Sequence, residues 1–133
     1  MATIFSKIVL GEIPSYKVAE NDKFYAFLDI NPLVKGHTLV IPKQEIDYIF
    51  DLSDEDLGEM HIFAKSVARA IEKAIPCKRI GVSVIGLEVP HAHIHLIPIN
   101  NESDMLLSNP KKKLSQEEFT QIAENIYDAW QNR

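Results

Sequence analysis

Apolar residues recur at steps of three and four from Leu57 through Met60, Ala64, Val67, Ala68 and Ile71 to Ile75. That spacing lines one face of an α-helix. Ser53 stands at the capping position, and Asp54, Glu55 and Asp56 complement the helix dipole in the first turn. Pro76 stops the segment. A second helix is predicted behind the capping box Ser115-Gln116-Glu117-Glu118, with Phe119, Ile122, Ala123, Ile126 and Trp130 on its apolar face. Near the amino terminus, Ile4, Phe5, Ile8 and Val9 have helical spacing until Gly11 and Pro14 end it. Elsewhere the pattern is that of strands: Lys17 to Ala19 and Phe24 to Leu28 around a polar Glu20-Asn21-Asp22 turn, His37 to Ile41 closed by Pro42, Arg79 to Ile85, and His91 to Ile99. Gly86-Leu87-Glu88-Val89-Pro90 joins the last two, which predicts antiparallel neighbours. Short strand connections with segregated helices predict an α+β fold on an antiparallel sheet of about five strands, with one long and one or two shorter helices.

The predicted strand His91 to Ile99 carries unusual chemistry. Three of the five histidines lie at alternate positions, His91, His93 and His95. Successive side chains of a strand face opposite ways, so these three share one side while Ala92, Ile94 and Leu96 share the other. Three imidazoles add little packing that Val or Ile would not supply, and they are costly to bury charged. A structural role stays open, and two chemical readings stand beside it. Alternate histidines converge on a metal ion when a carboxylate or further histidine such as Glu88, His37 or Asp29 joins them. Alternatively, a neutral imidazole serves as a nucleophile at phosphorus, with its neighbours donating hydrogen bonds to phosphate oxygens.

Composition narrows the setting. At 133 residues, 46% hydrophobic and 25% charged, the chain has the make-up of an ordinary globular domain. Nothing divides it, so residues 1–133 are expected to be one domain with a helical extension from 101 onward. A net charge of -5 disfavours nucleic acid as a partner. The basic run Lys111-Lys112-Lys113 reads as a solvated loop. The single cysteine, Cys77, excludes an internal disulfide. With neither a secretory leader nor an apolar run of membrane length, the expected location is cytoplasmic, away from membranes.

The segment His91-Ala92-His93-Ile94-His95-Leu96-Ile97 resembles the motif of the histidine triad (HIT) family of nucleotide-binding hydrolases and transferases. Two further blocks resemble that family in order and spacing. They are Ile4-Phe5-Ser6-Lys7-Ile8 with Glu12-Ile13-Pro14, and Phe27-Leu28-Asp29-Ile30-Asn31-Pro32 followed by Gly36-His37-Thr38-Leu39-Val40-Ile41-Pro42-Lys43. The resemblance covers residues 3 to 100 and implies a HIT-like fold. It further implies a hydrolase or nucleotidyl transferase acting at the α-phosphate of purine nucleotides, such as AMP derivatives, of the nucleoside phosphoramidate or dinucleoside polyphosphate type. His93 would form a nucleotidyl-histidine intermediate, His95 would polarise the phosphate, His91 would orient the site, and His37 would stand beside the triad. Asp29 would hold the ribose hydroxyls, while Phe5, Phe27, Ile30 and Leu39 would wall the base. No cofactor is implied, and a homodimer is.

The chain departs from the family pattern before the triad. Leu87 stands where Gln is usual, and Glu88 where Ser or Thr is usual. Gly86 would still permit close backbone approach to a phosphate. Glu88 would repel a polyphosphate or pair with a positively charged leaving group. Ser6 and Gln44-Glu45 occupy places where some members carry zinc ligands, so no structural zinc is expected. Two alternatives stay open: a catalytically weak purine-nucleotide-binding module, and a metal-dependent hydrolase using the histidine cluster.

Overall fold

The computed structural model describes residues 2–133. Met1, the first residue of the amino-terminal segment and of the expected domain, lies outside the described residues. A five-stranded antiparallel sheet runs through the molecule. Its strands are β1 (Lys17–Glu20), β2 (Phe24–Leu28), β3 (Thr38–Pro42), β4 (Arg79–Ser83) and β5 (Ile94–Ile99), in the spatial order β1-β2-β3-β5-β4. The helices are α1 (Ile4–Val9), α2 (Asp54–Ala74) and α3 (Gln116–Gln131). The predicted architecture is therefore present. Among the described residues, no helix is long and apolar enough to cross a membrane.

The caps form as the sequence implies. The Ser53 hydroxyl accepts the Asp56 N–H, and Ser115 and Glu118 close a reciprocal box. The buried face of α2 is Met60, Phe63, Ala64, Val67, Ala70 and Ile71. It is wider than the predicted stripe because Phe63 and Ala70 join it. That extra width receives α3, whose Phe119, Ala123, Ile126 and Trp130 are buried. The Trp130 indole N–H donates to Ser66 Oγ at 3.0 Å across the two helices.

The two sides of the sheet differ. Val18, Phe24, Ala26, Leu28, Val40, Ile94 and Leu96 belong to the main core with α2 and α3. Tyr25, Phe27, Leu39 and Ile41 join Phe5 and Ile8 of α1 in a smaller cluster. Strand periodicity sends alternate residues to these two places.

Three predicted strands are shorter than expected. β4 ends at Ser83, which pairs with His95, so Val84 and Ile85 lie beyond the ladder. His37 precedes β3, with its N–H bonded to Val34 O at 3.2 Å. β5 begins at Ile94, so His91, Ala92 and His93 are not strand residues. Their backbone groups bond elsewhere: the Ala92 N–H reaches Ile46 O at 2.7 Å, and the His91 N–H reaches Val89 O at 2.8 Å. Pro90 lacks an N–H altogether, which also works against a ladder here. Sidedness nevertheless persists, with Ala92, Ile94 and Leu96 in the main core.

Candidate active site

The histidines occupy the α1 side of the sheet. Leu39 on β3 pairs with His95 on β5, and Phe27 on β2 pairs with Leu39, which sets a row of side chains across three strands. Phe5 reaches this row from α1. Its ring meets those of His93 at 5.1 Å, Phe27 at 5.5 Å and His91 at 5.8 Å, each edge-on. His37, His91, His93 and His95 are all buried, at 2%, 0%, 7% and 9% exposure.

Hydrogen bonds determine which nitrogen of each ring carries the proton. His93 Nδ1 lies 2.7 Å from the His91 carbonyl, which can only accept, so Nδ1 holds the proton and Nε2 keeps its lone pair. The Leu33 N–H donates to His37 Nδ1 at 3.0 Å, so the proton of neutral His37 sits on Nε2. That Nε2–H donates to His95 Nδ1 at 2.9 Å. His95 therefore carries its own proton on Nε2. The outcome is a bare Nε2 on His93 beside an N–H donor on His95, with the two ring centres 5.1 Å apart. Among the described residues no fully buried side-chain N or O lacks a partner, and neither Nε2 has a protein partner, so both open to solvent.

Burial favours the neutral form of His37, His91 and His95. Desolvation, reinforced by neighbouring charge, lowers the His37 pKa to about 3 and that of His95 to about 4. Desolvation lowers His91 as well. His37 Nε2 stands 3.6 Å from Asp29 Oδ2. With the ring uncharged this is a polar contact and not an ion pair. Asp29 is half-buried, and its pKa is raised, chiefly by desolvation. Its Oδ1 accepts the Asn31 N–H at 2.8 Å, which shapes the turn and leaves Oδ2 toward His37. Asp29, His37 and His95 place three potential metal-ligand atoms within 4.8 Å of one another.

Not every predicted residue joins this centre. Phe5, Phe27 and Leu39 form one apolar cluster beside it. Ile30 follows Asp29 on the same loop but is 66% exposed. It also borders a separate depression of about 680 Å³ between β1 and α3 that has no histidine in its wall. Gly86 has φ +72, and Leu87 and Glu88 beyond it are exposed. Glu88 is near enough for its charge to raise Asp29. His61 lies exposed on α2, bonded to Leu57 O at 2.9 Å, away from the site.

Other contributors gave little signal in the sequence. Lys111 is exposed, yet its ammonium lies within electrostatic reach of Asp29 and His37. The next residue explains how, because the Lys112 N–H donates to Pro32 O at 2.8 Å and holds this segment against the Asp29 loop. Thr3, Ser6 and Glu45 bond around His91. Thr3 caps α1 by accepting the Ser6 N–H, and a hydroxyl residue just ahead of the helical pattern is the sequence signal that could have found it.

The sequence pattern that defines the HIT domain matches residues 10–102. The chain belongs to the HIT family. An adenosine 5'-monophosphoramidase of Schizosaccharomyces pombe is 40% identical over 129 residues, covering 95% of this chain and 96% of that protein. The adenosine 5'-monophosphoramidase of Saccharomyces cerevisiae is 39% identical over 107 residues, 80% of this chain and 68% of its own. Among solved structures, a HIT-like protein from Bartonella henselae superposes with a TM-score of 0.82 at 32% identity, covering 96% of this chain and 95% of that one. The HIT fold of these neighbours is the five-stranded antiparallel sheet with helices described above.

Proposed function

We propose that the protein is a nucleotide hydrolase that cleaves nucleoside 5'-phosphoramidates of the AMP type at the α-phosphate through His93. The observation that carries this reading is the tautomer pair: a bare His93 Nε2 next to a His95 Nε2–H, both open to solvent. A neutral imidazole nitrogen is a good nucleophile and a good leaving group at phosphorus. The His93 Nε2–P bond forms as the bond to the amine breaks, and the departing nitrogen takes a proton from solvent. Water then attacks phosphorus, the Nε2–P bond breaks, and the nucleoside monophosphate leaves as a proton returns to solvent. His95 Nε2–H donates to a non-bridging oxygen as charge develops there. Burial supports that role, because a ring held neutral keeps both its donor and its link to His37.

Asp29 Oδ2 offers an acceptor to the ribose hydroxyls, and Phe5, Phe27 and Leu39 offer the apolar wall for the base, with Ile30 closing from the exposed loop. The phosphoramidase activity named for two relatives supports the choice of leaving group. So does Glu88, an acid beside the site that suits a departing amine better than a further phosphate. The test is rapid-quench mass spectrometry with adenosine 5'-phosphoramidate. An AMP adduct on His93 in the wild type, absent from His93→Ala, is expected. Unchanged turnover by His93→Ala overturns the reading.

The Asp29–His37–His95 grouping favours the metal-dependent alternative. Activity lost in excess chelator and restored by zinc would select it. The chain is also proposed to form a homodimer through β4, an edge strand whose Val82 and following Val84 and Ile85 are 58%, 38% and 48% exposed. Sedimentation at a mass of one chain would exclude that. A cytoplasmic site of action is part of the same proposal.

A further inference from the structure

We infer that Thr3, Ser6 and Glu45 are positioning residues that hold the His91 ring, and with it the backbone carbonyl that fixes the tautomer of His93, an inference that rests on reading His93 as the nucleophile. Glu45 Oε1 accepts two bonds from the first turn of α1, the Thr3 N–H at 2.8 Å and the Ser6 hydroxyl at 2.5 Å. The Ser6 N–H donates to Thr3 Oγ1 at 3.0 Å. On the other side of the ring, His91 Nε2 lies 2.8 Å from the Pro42 carbonyl, which can only accept, so Nε2 carries the ring proton. His91 Nδ1 is then bare, and the Thr3 hydroxyl fills it at 2.8 Å. Thr3 Oγ1 also lies 3.1 Å from Ser6 Oγ, but the bare His91 Nδ1 is nearer and takes the single Thr3 proton, while Ser6 gives its own to Glu45.

The consequence reaches the reacting atom. His91 is pinned at both ring nitrogens and at its N–H, and its carbonyl is the group that holds His93 Nδ1–H at 2.7 Å. His91 and His93 lie outside the β-ladder, so no strand bonds fix that carbonyl. The fixing falls to the Glu45–Thr3/Ser6–His91 relay and the Ala92 bond to Ile46. The same relay seats α1, whose Phe5 edge contacts both rings. Partners one step removed from the reacting group set its orientation in this way at metal-bound histidines too.

The experiment combines two measurements on Thr3→Val, Thr3→Ser, Glu45→Ala and Glu45→Gln. The first is ¹⁵N NMR of the imidazoles, which reads protonated and bare nitrogens directly. The second is kcat and KM with adenosine 5'-phosphoramidate. In the wild type His93 is expected with Nδ1 protonated. Thr3→Val and Glu45→Ala should loosen the His91 carbonyl, mix the tautomers of His93 and lower kcat about ten-fold, with KM within about two-fold, while the Pro42 carbonyl keeps the His91 proton on Nε2. Thr3→Ser and Glu45→Gln, which keep the hydroxyl and the acceptor oxygen, should restore both readouts. Unchanged tautomers and kcat in Thr3→Val or Glu45→Ala overturn the proposal, as do equal losses in Thr3→Val and Thr3→Ser. Glu45 is exposed, so its variants report on the relay even where Thr3→Val is too unstable to measure. Failure of the functional reading looks different: His93→Ala would keep its turnover while the wild-type tautomers still respond to Thr3 and Glu45.

Discussion

The two sides of the sheet are built by opposite means. The α2/α3 side is hydrocarbon packed on hydrocarbon, with its few polar groups, such as the Trp130–Ser66 pair, tying helix to helix. The α1 side joins a six-residue helix and a small apolar cluster to four buried histidines. There the order comes from directed hydrogen bonds, because a dispersive contact cannot choose which nitrogen of a ring keeps its proton. One side supplies free energy, and the other spends some of it on desolvated imidazoles to obtain a defined chemistry.

Substitutions should separate the two sides. His93→Ala is expected to lower turnover by at least about 1,000-fold, the scale for loss of a nucleophile, with thermal unfolding little changed. Ile126→Ala, on the opposite side, should lose about 2–5 kcal/mol of stability in denaturant titration while the folded fraction keeps its specific activity. If Ile126→Ala inactivates without destabilising, the division between the sides is wrong.

Acid should attack the histidine side first. An unfolded chain protonates His37 and His95 near 6.5, whereas the folded protein resists until about 3 and about 4. Unfolding thus takes up protons below pH 6.5, and stability present above that pH falls as the pH drops. The expected slope is about 1.4 kcal/mol per pH unit for each ring. His37→Asn should flatten the curve measured by urea unfolding between these limits. Ser115→Ala should cost about 1 kcal/mol through loss of the α3 cap, without effect on kcat. The smallest effect is expected from Lys111→Ala. Removing an exposed charge near Asp29 should weaken nucleotide binding by less than about five-fold, and the difference should shrink at high salt.

The sequence made the packed side legible almost in full, because helical spacing, caps and strand alternation are local signals. It marked the site through residue type: four histidines, Asp29 and three of the apolar residues stand together. What it hid was how His91 and His93 are held. Read locally, the alternating run continues as strand. In place of the ladder, Ile46 bonds the Ala92 backbone while Pro42 and Thr3 bond the His91 ring, distant partners that no local pattern announces. Lys111 escaped for a similar reason, since a basic run looks solvated until the Pro32 bond shows what it lies against. Phe63 and Ala70 of α2 were underestimated because the width of a buried stripe depends on the second helix that covers it.

The bond between the Lys112 amide and the Pro32 carbonyl has a bearing on how such a protein can be re-tuned. It suspends the Asp29 loop between the end of β2 and the lead-in to the final helix. Changes to that distal stretch, or cargo fused behind it, would tug on Asp29, the proposed ribose acceptor, without touching His93 or His95. On the proposed function, selectivity among nucleosides can therefore drift through the tail while the histidine centre stays as it is.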